Sequence, residues 1–338
     1  MNNVECVGGG AGQLSSLILS KRHEWRRVKL GSHAIVSRVQ VDGESYMVKE
    51  IRKDFADEKQ VIALGADMVA YAEQLNAVGV PAPVPLEICP IWYDDVLYLT
   101  TIDPDVGNDV EMQLLNGDEG CCLHIVRDML EIVGGLFRRT ANARSLELEV
   151  GIDPKPANFA SSRSRQMFYV DLMPPRFRKN GRPIVEYPEP KSRQGYELAY
   201  YRHYDQRGLL EVLQTQLCRL RPACRREFVG AIREFAQAFS LDLVDHLDIF
   251  PGTRFSATTS CRRRGEIIEG LPDDAMYAVR DIACQLAFEQ PEICGVDTLQ
   301  TIFDLSHFHA DTPDRKQMDQ AKRMLLEMVF DHQPRPVL

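Results

Sequence analysis

Gly151-Ile-Asp-Pro-Lys-Pro-Ala-Asn158-Phe159, followed after a short polar turn by Met167-Phe-Tyr-Val-Asp171-Leu-Met173, is the stretch on which the fold of this chain turns. It sets two carboxylates and one carboxamide, Asp153, Asn158 and Asp171, on a loop, strand, turn, strand unit. The 13 positions from Asn158 to Asp171 are enough for a strand, a turn and a returning strand, with Phe168-Tyr-Val delivering Asp171 at a strand end.

On its N-terminal side the texture is alternating. Val28 and Leu30, then Ala34-Ile-Val-Ser-Arg-Val-Gln-Val41, a turn at Asp42-Gly43, and Tyr46-Met-Val-Lys-Glu-Ile51 predict an antiparallel hairpin with Lys49 in its second strand. From Asp57 to Ala77 apolar residues recur at three and four, which predicts a helix. Gly79-Val-Pro-Ala-Pro-Val-Pro85 ends it, because proline cannot continue a helix. Two strand-like runs come next, Leu86 to Ile91 and Val96 to Ile102, and Asp103-Pro-Asp-Val-Gly-Asn108 has the turn chemistry of a hinge. Further on, helices are expected at Leu123–Thr140, Leu209–Leu220, Cys224–Phe239, Pro272–Phe288 and Lys316–Phe330. The expected organisation is therefore a flexible N-terminal segment 1–25, a strand-and-helix lobe 26–102 and a mainly helical lobe 103–338, an α+β chain in two lobes. Gly8-Gly-Gly-Ala-Gly12 belongs to the flexible segment. No apolar strand precedes it, and Gln13-Leu14 stand where a phosphate loop needs Lys-Ser or Lys-Thr. Arg176-Phe-Arg-Lys-Asn-Gly-Arg182 and Cys261-Arg-Arg-Arg264 read as exposed basic loops, the first able to hold an acidic or phosphorylated substrate. Tyr200-Tyr-Arg-His-Tyr204 is placed to line an acceptor site, but aromatic residues leading into a helix are more often core, and it is read so.

With 338 residues, 44% hydrophobic and 26% charged, the chain has a globular composition. A net charge of -9 opposes a general nucleic-acid binder, which needs a surplus of cations for phosphate. Nine cysteines without a C-x-x-C pair give neither a zinc framework nor a secreted disulfide scaffold. The odd count and the absence of a leader predict a reducing cytoplasm. No run reaches the roughly eighteen apolar residues of a membrane span, so no membrane partner is expected.

Taken in chain order, Lys49, Asp153, Asn158 and Asp171 make the chain resemble the protein-kinase-like superfamily, and the Gly79-Val-Pro-Ala-Pro segment resembles aminoglycoside and choline phosphotransferases. The resemblance covers roughly Val28 to Asp171 and implies a bilobal kinase fold using ATP and Mg²⁺ on a small-molecule hydroxyl. It implies that Asp153 aligns the acceptor, Asn158 and Asp171 bind metal, and Lys49 fixes the α and β phosphates. Pro-Lys-Pro-Ala resembles the Leu-Lys-Pro-Glu of protein kinases and brings Lys155 into the catalytic set. Gly31 and Ser32 stand where a glycine-rich lid would cover the nucleotide. A helix carboxylate should orient Lys49; by spacing it is Asp67, with Glu58 too near the strand and Glu73 in reserve.

Three positions depart from the family pattern. Gly151 replaces a histidine that usually buttresses the loop, Leu172-Met-Pro-Pro-Arg176 replaces Phe-Gly after the metal aspartate, and no Ala-Pro-Glu closes the segment. Pro174 and Pro175 stiffen the chain beyond Asp171. A small-molecule kinase therefore fits better than a regulated protein kinase. A non-catalytic nucleotide-binding module and a kinase fold that transfers AMP remain the alternatives.

Overall fold

The computed structural model describes residues 13–30, 34–53, 55–93, 96–140, 146–185 and 193–241. Five antiparallel strands, β1 (Arg26–Leu30), β2 (Ala34–Val41), β3 (Glu44–Arg52), β4 (Glu87–Tyr93) and β5 (Val96–Pro104), form one sheet in the order β1-β2-β3-β5-β4. The β2–β3 connection is the Asp42-Gly43 turn, with φ of 52° and 87°. Two positive φ values give the tight hairpin twist that this dipeptide favours.

Helix α2 (Glu58–Ala77) starts at Asp57, whose carboxylate accepts from Gln60 N and so satisfies an end amide. It buries Val61, Leu64, Met68, Tyr71 and Leu75 on the face of the sheet that carries Ile51, Leu97 and Leu99. Each fully buried side chain of this size contributes about 1.5–3 kcal/mol. After α2 the Asn76 side chain donates to Ala72 O and Ala82 O and accepts from Ala82 N, fixing the proline segment.

The opposite face is covered by residues expected to be flexible. Helix α1 (Gln13–Ser20) packs Ile18 against Val39, Val41, Val48 and Ile102, and Trp25 donates to Ile18 O. The spacing of Leu14, Leu17 and Ile18 suffices for an amphipathic turn, and without it this sheet face would lie open. Residues 13–25 thus belong to the first lobe; Gly8–Gly12 lie outside the described residues. The expected boundary after Ile102 also moves, because β5 runs on to Pro104 and Asp103 is a strand residue.

The second part begins with β6 (Asn108–Asp109) and α3 (Val110–Asn116), the latter not expected, then α4 (Glu119–Thr140). A three-stranded sheet, β6-β7-β8, joins β6 to β7 (Phe159–Ser161) and β8 (Met167–Tyr169). A small hairpin of β9 (Arg178–Lys179) and β10 (Arg182–Pro183) comes after it, then α5 (Arg193–Tyr204), α6 (Gln206–Leu220) and α7 (Arg225–Ala238). Met129, Val133 and Leu136 of α4, Leu209, Leu213 and Leu217 of α6, and Phe228 and Ile232 of α7 form one core. That core continues through Leu148, Val150 and Ile152 to α2. Along α5, Tyr196, Tyr200 and Tyr204 stack at 6.4 and 5.1 Å and pack on Val185, so the aromatic cluster is core, as its composition predicts. The expected helices at 272–288 and 316–330, and Cys261–Arg264, lie outside the described residues.

A small antiparallel sheet with one long helix, followed by helices around a short hairpin, is the α+β arrangement expected from the sequence.

Candidate active site

The segment before Asp153 runs as an extended chain beside the end of α5, where Leu148 N donates to Tyr204 O at 2.8 Å and Ile152 N to His203 O at 3.2 Å. Leu148, Val150 and Ile152 alternate into the core, which leaves Gly151 between them against the α5 backbone. Gly151 N donates to Arg176 O at 2.9 Å, and Gly151 O accepts from the Tyr71 hydroxyl of α2 at 2.7 Å. Asp153 N donates to the Tyr169 hydroxyl at 3.1 Å. These bonds brace the loop on either side of Ile152.

Beyond Asp153, Pro156–Asn158 form a single 3₁₀ turn with Pro156 at its start, where its fixed φ is suited. Asn158 Nδ2 donates to Asp153 O at 3.0 Å, which leaves the amide oxygen to accept. Asn158 O receives Val170 N at 2.8 Å, extending the β7–β8 ladder in which Phe159 faces Tyr169. Asn158 and Asp171 consequently stand at the same end of the hairpin.

Charge is concentrated here. Asp153 is 5% exposed; its Oδ2 lies 2.9 Å from Lys155 Nζ and 4.0 Å from Arg176 Nη2, and its buried Oδ1 has no hydrogen-bond partner among the described residues. Burial pushes this carboxyl up, but Lys155, with Arg176 and Arg202, outweighs burial and holds it well below the usual carboxylate range. Arg176, expected on an exposed loop, is instead 3% exposed, with Nη1 donating to the Tyr169 hydroxyl at 3.1 Å and to Asp171 Oδ2 at 3.2 Å. A guanidinium tolerates such burial only when carboxylates surround it, and Asp153 and Asp171 supply them. Of the remaining basic residues, Arg178 reaches Glu149 and the Tyr200 hydroxyl, so the segment after Asp171 is tied down rather than free.

His203 is buried beside this cluster, and desolvation together with the Arg176 charge lowers its imidazole well below the usual value, against the opposing pull of Asp153. A folded-state value below the unfolded one means stability that is present above the unfolded value and lost as pH falls through it. The loss begins below about pH 6.5 and approaches about 1.4 kcal/mol per pH unit. Asp153, also depressed, acts only below about pH 3.9, a separate window. Thermal melts between pH 7.5 and 5 should therefore fall more steeply for the parent than for His203→Asn; parallel curves would refute this.

Lys49, on β3, donates to Val170 O at 2.8 Å and pairs with Asp103 Oδ2 at 2.8 Å. Asp103 is 2% exposed, and its Oδ1 has no hydrogen-bond partner among the described residues. Asp67 does not orient Lys49: it accepts from Lys179 Nζ at 2.6 and 2.8 Å, linking α2 to the β9–β10 hairpin. The reason is strand parity. Lys49 faces Thr101 across β3–β5, and Asp103, two residues on, shares that side of the sheet and reaches the lysine first. Asp67→Asn should cost under about 1 kcal/mol, as exposed pairs do, and leave nucleotide affinity unchanged, whereas Asp103→Asn should weaken it about tenfold. Equal effects in a binding titration would overturn this assignment.

From β1, Lys29 Nζ reaches Asp109 Oδ2 at 2.6 Å and Ala157 O at 2.9 Å, so a sheet lysine touches the Asp153–Asn158 loop directly. Gly31 and Ser32 lie outside the described residues. Lys49, Lys155, Asp153, Asn158 and Asp171 are thus brought together, while Asp67 is not among them. Sequence reasoning missed Asp103, Arg176, Tyr169, Tyr71, His203 and Lys29; only Asp103 had a usable signal, its parity with a strand lysine.

The donor set fits Mg²⁺. Asp171 is 24% exposed at its side chain, and among the described residues its Oδ1 accepts only a long 3.3 Å bond from Met173 N, while Asn158 keeps its amide oxygen. Among the described residues no group of three His, Cys, Asp or Glu could hold an ion by itself, and Mg²⁺ commonly takes one or two protein oxygens plus phosphate and water. Among the described residues, no helix is long and apolar enough to cross a membrane.

No protein-family model and no curated protein matches this sequence. Among solved structures, that of vaccinia related kinase 3 is similar at 11% identity over 90% of this chain and 86% of that chain, with a TM-score of 0.37.

Proposed function

We propose that this chain is an ATP- and Mg²⁺-dependent phosphotransferase acting on the hydroxyl of a small molecule. The observation that carries the reading is the meeting of Lys49, Asp153, Asn158 and Asp171, from three segments of the chain, around the Val170 carbonyl and the Asp153 loop. Phosphoryl transfer asks a protein for position and charge rather than covalent chemistry, and these residue types supply both.

Lys49, steadied by Asp103, binds the α and β phosphates. Asn158 and Asp171 hold the metal, which when bound neutralises charge on the phosphate oxygens. Asp153 supplies an ionised carboxylate, held at Oδ2 by Lys155, that aligns the acceptor hydroxyl for in-line attack. Its depressed proton affinity makes it an aligning group rather than an early proton acceptor. A small acceptor is favoured because the segment after Asp171 is fixed by Arg176, Arg178 and Lys179, leaving no switch of the regulated kind.

A second reading, a nucleotide-binding module without turnover, is favoured by one contact: Lys29 on Ala157 O closes β1 onto the catalytic loop. The readings separate when the chain is incubated with Mg²⁺, a metabolite pool and ATP labelled at the γ or the α phosphate. A γ-labelled product supports transfer. Binding with no labelled product across broad acceptor panels supports the module, and label from the α phosphate alone points to nucleotidyl transfer.

A further inference from the structure

Arg176 has no place in the residue set expected from the sequence, yet it is the most deeply enclosed cation of the site. Its guanidinium bonds to the Tyr169 hydroxyl and Asp171 and approaches Asp153; its carbonyl is held by Gly151 N. Tyr169 is itself fixed by Asp153 N and is fully buried. Pro174 and Pro175 precede it and restrict the backbone. Such a group does not swing away into water, and a guanidinium does not lose its proton at any working pH.

Charges within the cluster balance. Asp153 and Asp171 carry two negative charges, and Arg176 and Lys155, both in contact with them, carry two positive ones. Both carboxylates are thus compensated before any ion arrives, and Arg202 adds a further positive field at Asp153. A divalent cation approaching Asp171 and Asn158 meets a carboxylate already paired with a fixed cation a few ångströms away.

We propose that Arg176 is a resident cation of the site and a positioning residue for Asp171 and Asp153: it takes the share of positive charge that a second divalent ion would bring. The site therefore has little affinity for free metal, and one divalent ion enters together with the polyphosphate whose negative charge it needs. This rests on the phosphotransferase reading for the role of Asp171, but its test does not.

The test is binding of Mn²⁺ alone, an oxygen-seeking spin probe for the Mg²⁺ site, monitored by electron paramagnetic resonance on the full chain without nucleotide. The parent should bind Mn²⁺ weakly. Arg176→Gln should bind it at least about tenfold more tightly, because removing a unit charge a few ångströms from a divalent ion exceeds that factor even at an effective dielectric near 20. Arg176→Lys, which keeps the charge, should stay close to the parent. With a non-hydrolysable ATP analogue the parent should take up one Mn²⁺ per chain. Unchanged affinity in a natively melting Arg176→Gln, tight binding of Mn²⁺ alone by the parent, or two ions per chain with the analogue would each overturn the proposal. Should Arg176→Gln fail to fold, Lys155→Met decides: it removes the other, more exposed cation and should tighten Mn²⁺ about threefold, and no change would count against the proposal. Failure of γ-phosphate transfer leaves these affinities readable, whereas transfer with unaltered Mn²⁺ affinity defeats only the role given to Arg176.

Discussion

Asp153→Asn should bind MgATP as the parent does and transfer its γ-phosphate at least about 10³-fold more slowly. The substitution keeps the shape of the side chain and removes its charge. What it takes away is the ionised carboxylate proposed to align the acceptor hydroxyl, whose Oδ2 is paired with Lys155 and whose Oδ1 is buried without a hydrogen-bond partner among the described residues. Nucleotide affinity should survive because Lys49 and Asp171 are held by Asp103, the Val170 carbonyl and Arg176 rather than by Asp153 alone. Lys155 and Arg176 lose part of their compensation, so a stability loss of about 1–3 kcal/mol should accompany the change. Single-turnover transfer and calorimetric binding, measured on the same preparation, separate the two effects. A rate within tenfold of the parent would remove Asp153 from the mechanism.

Local chemistry was legible in the sequence wherever one stretch of chain carried it. Asp42-Gly43 between β-branched runs specified a hairpin, the three-and-four spacing from Val61 to Leu75 specified α2, and Asp153 with Asn158 five residues on specified a loop before a strand. Pairings that depend on which distant segments meet were not legible. Asp67 was a sound choice for a helix carboxylate, but the choice required knowing how α2 is rotated, and α2 turns Tyr71 to Gly151 and Asp67 to Lys179. Asp103 read as hinge chemistry because aspartate beside proline usually marks a turn; pairing with β3 keeps it in a strand. Arg176 comes after two prolines in a basic run, a pattern that belongs to solvated loops, and its burial depends on Asp153, Asp171 and Tyr169 converging from other segments. Helix α1 failed for a different reason: its apolar spacing was present, but a position near the chain start counted against it although an open sheet face needed cover.

Gly151→Ala should lower stability by about 3 kcal/mol, the upper part of the range for overpacking a filled interior. At about 2.1 cal/mol/K of unfolding entropy per residue, that is a fall of roughly 4 °C in Tm for a chain of 338 residues. A Cβ at 151 would lie 2.5 Å from His203 O and 3.2 Å from both His203 C and Tyr204 Cδ1. The nearest obstacle is backbone, so no side-chain rotation relieves it. That carbonyl is also the acceptor for Ile152 N, and the α5 end is bound again through Leu148 N to Tyr204 O. Relief of the clash therefore means moving α5 away from the loop, which breaks one or both bonds and loosens the Tyr71 and Arg176 contacts to Gly151. Because those contacts also set the position of Asp153, the variant should lose transfer rate beyond what its folded fraction explains, even well below its Tm. Gly151 is thus the point where a helix backbone presses against the loop, which leaves no room for any side chain. A Tm within about 1 °C of the parent would show that α5 yields freely and that Gly151 is not required by packing.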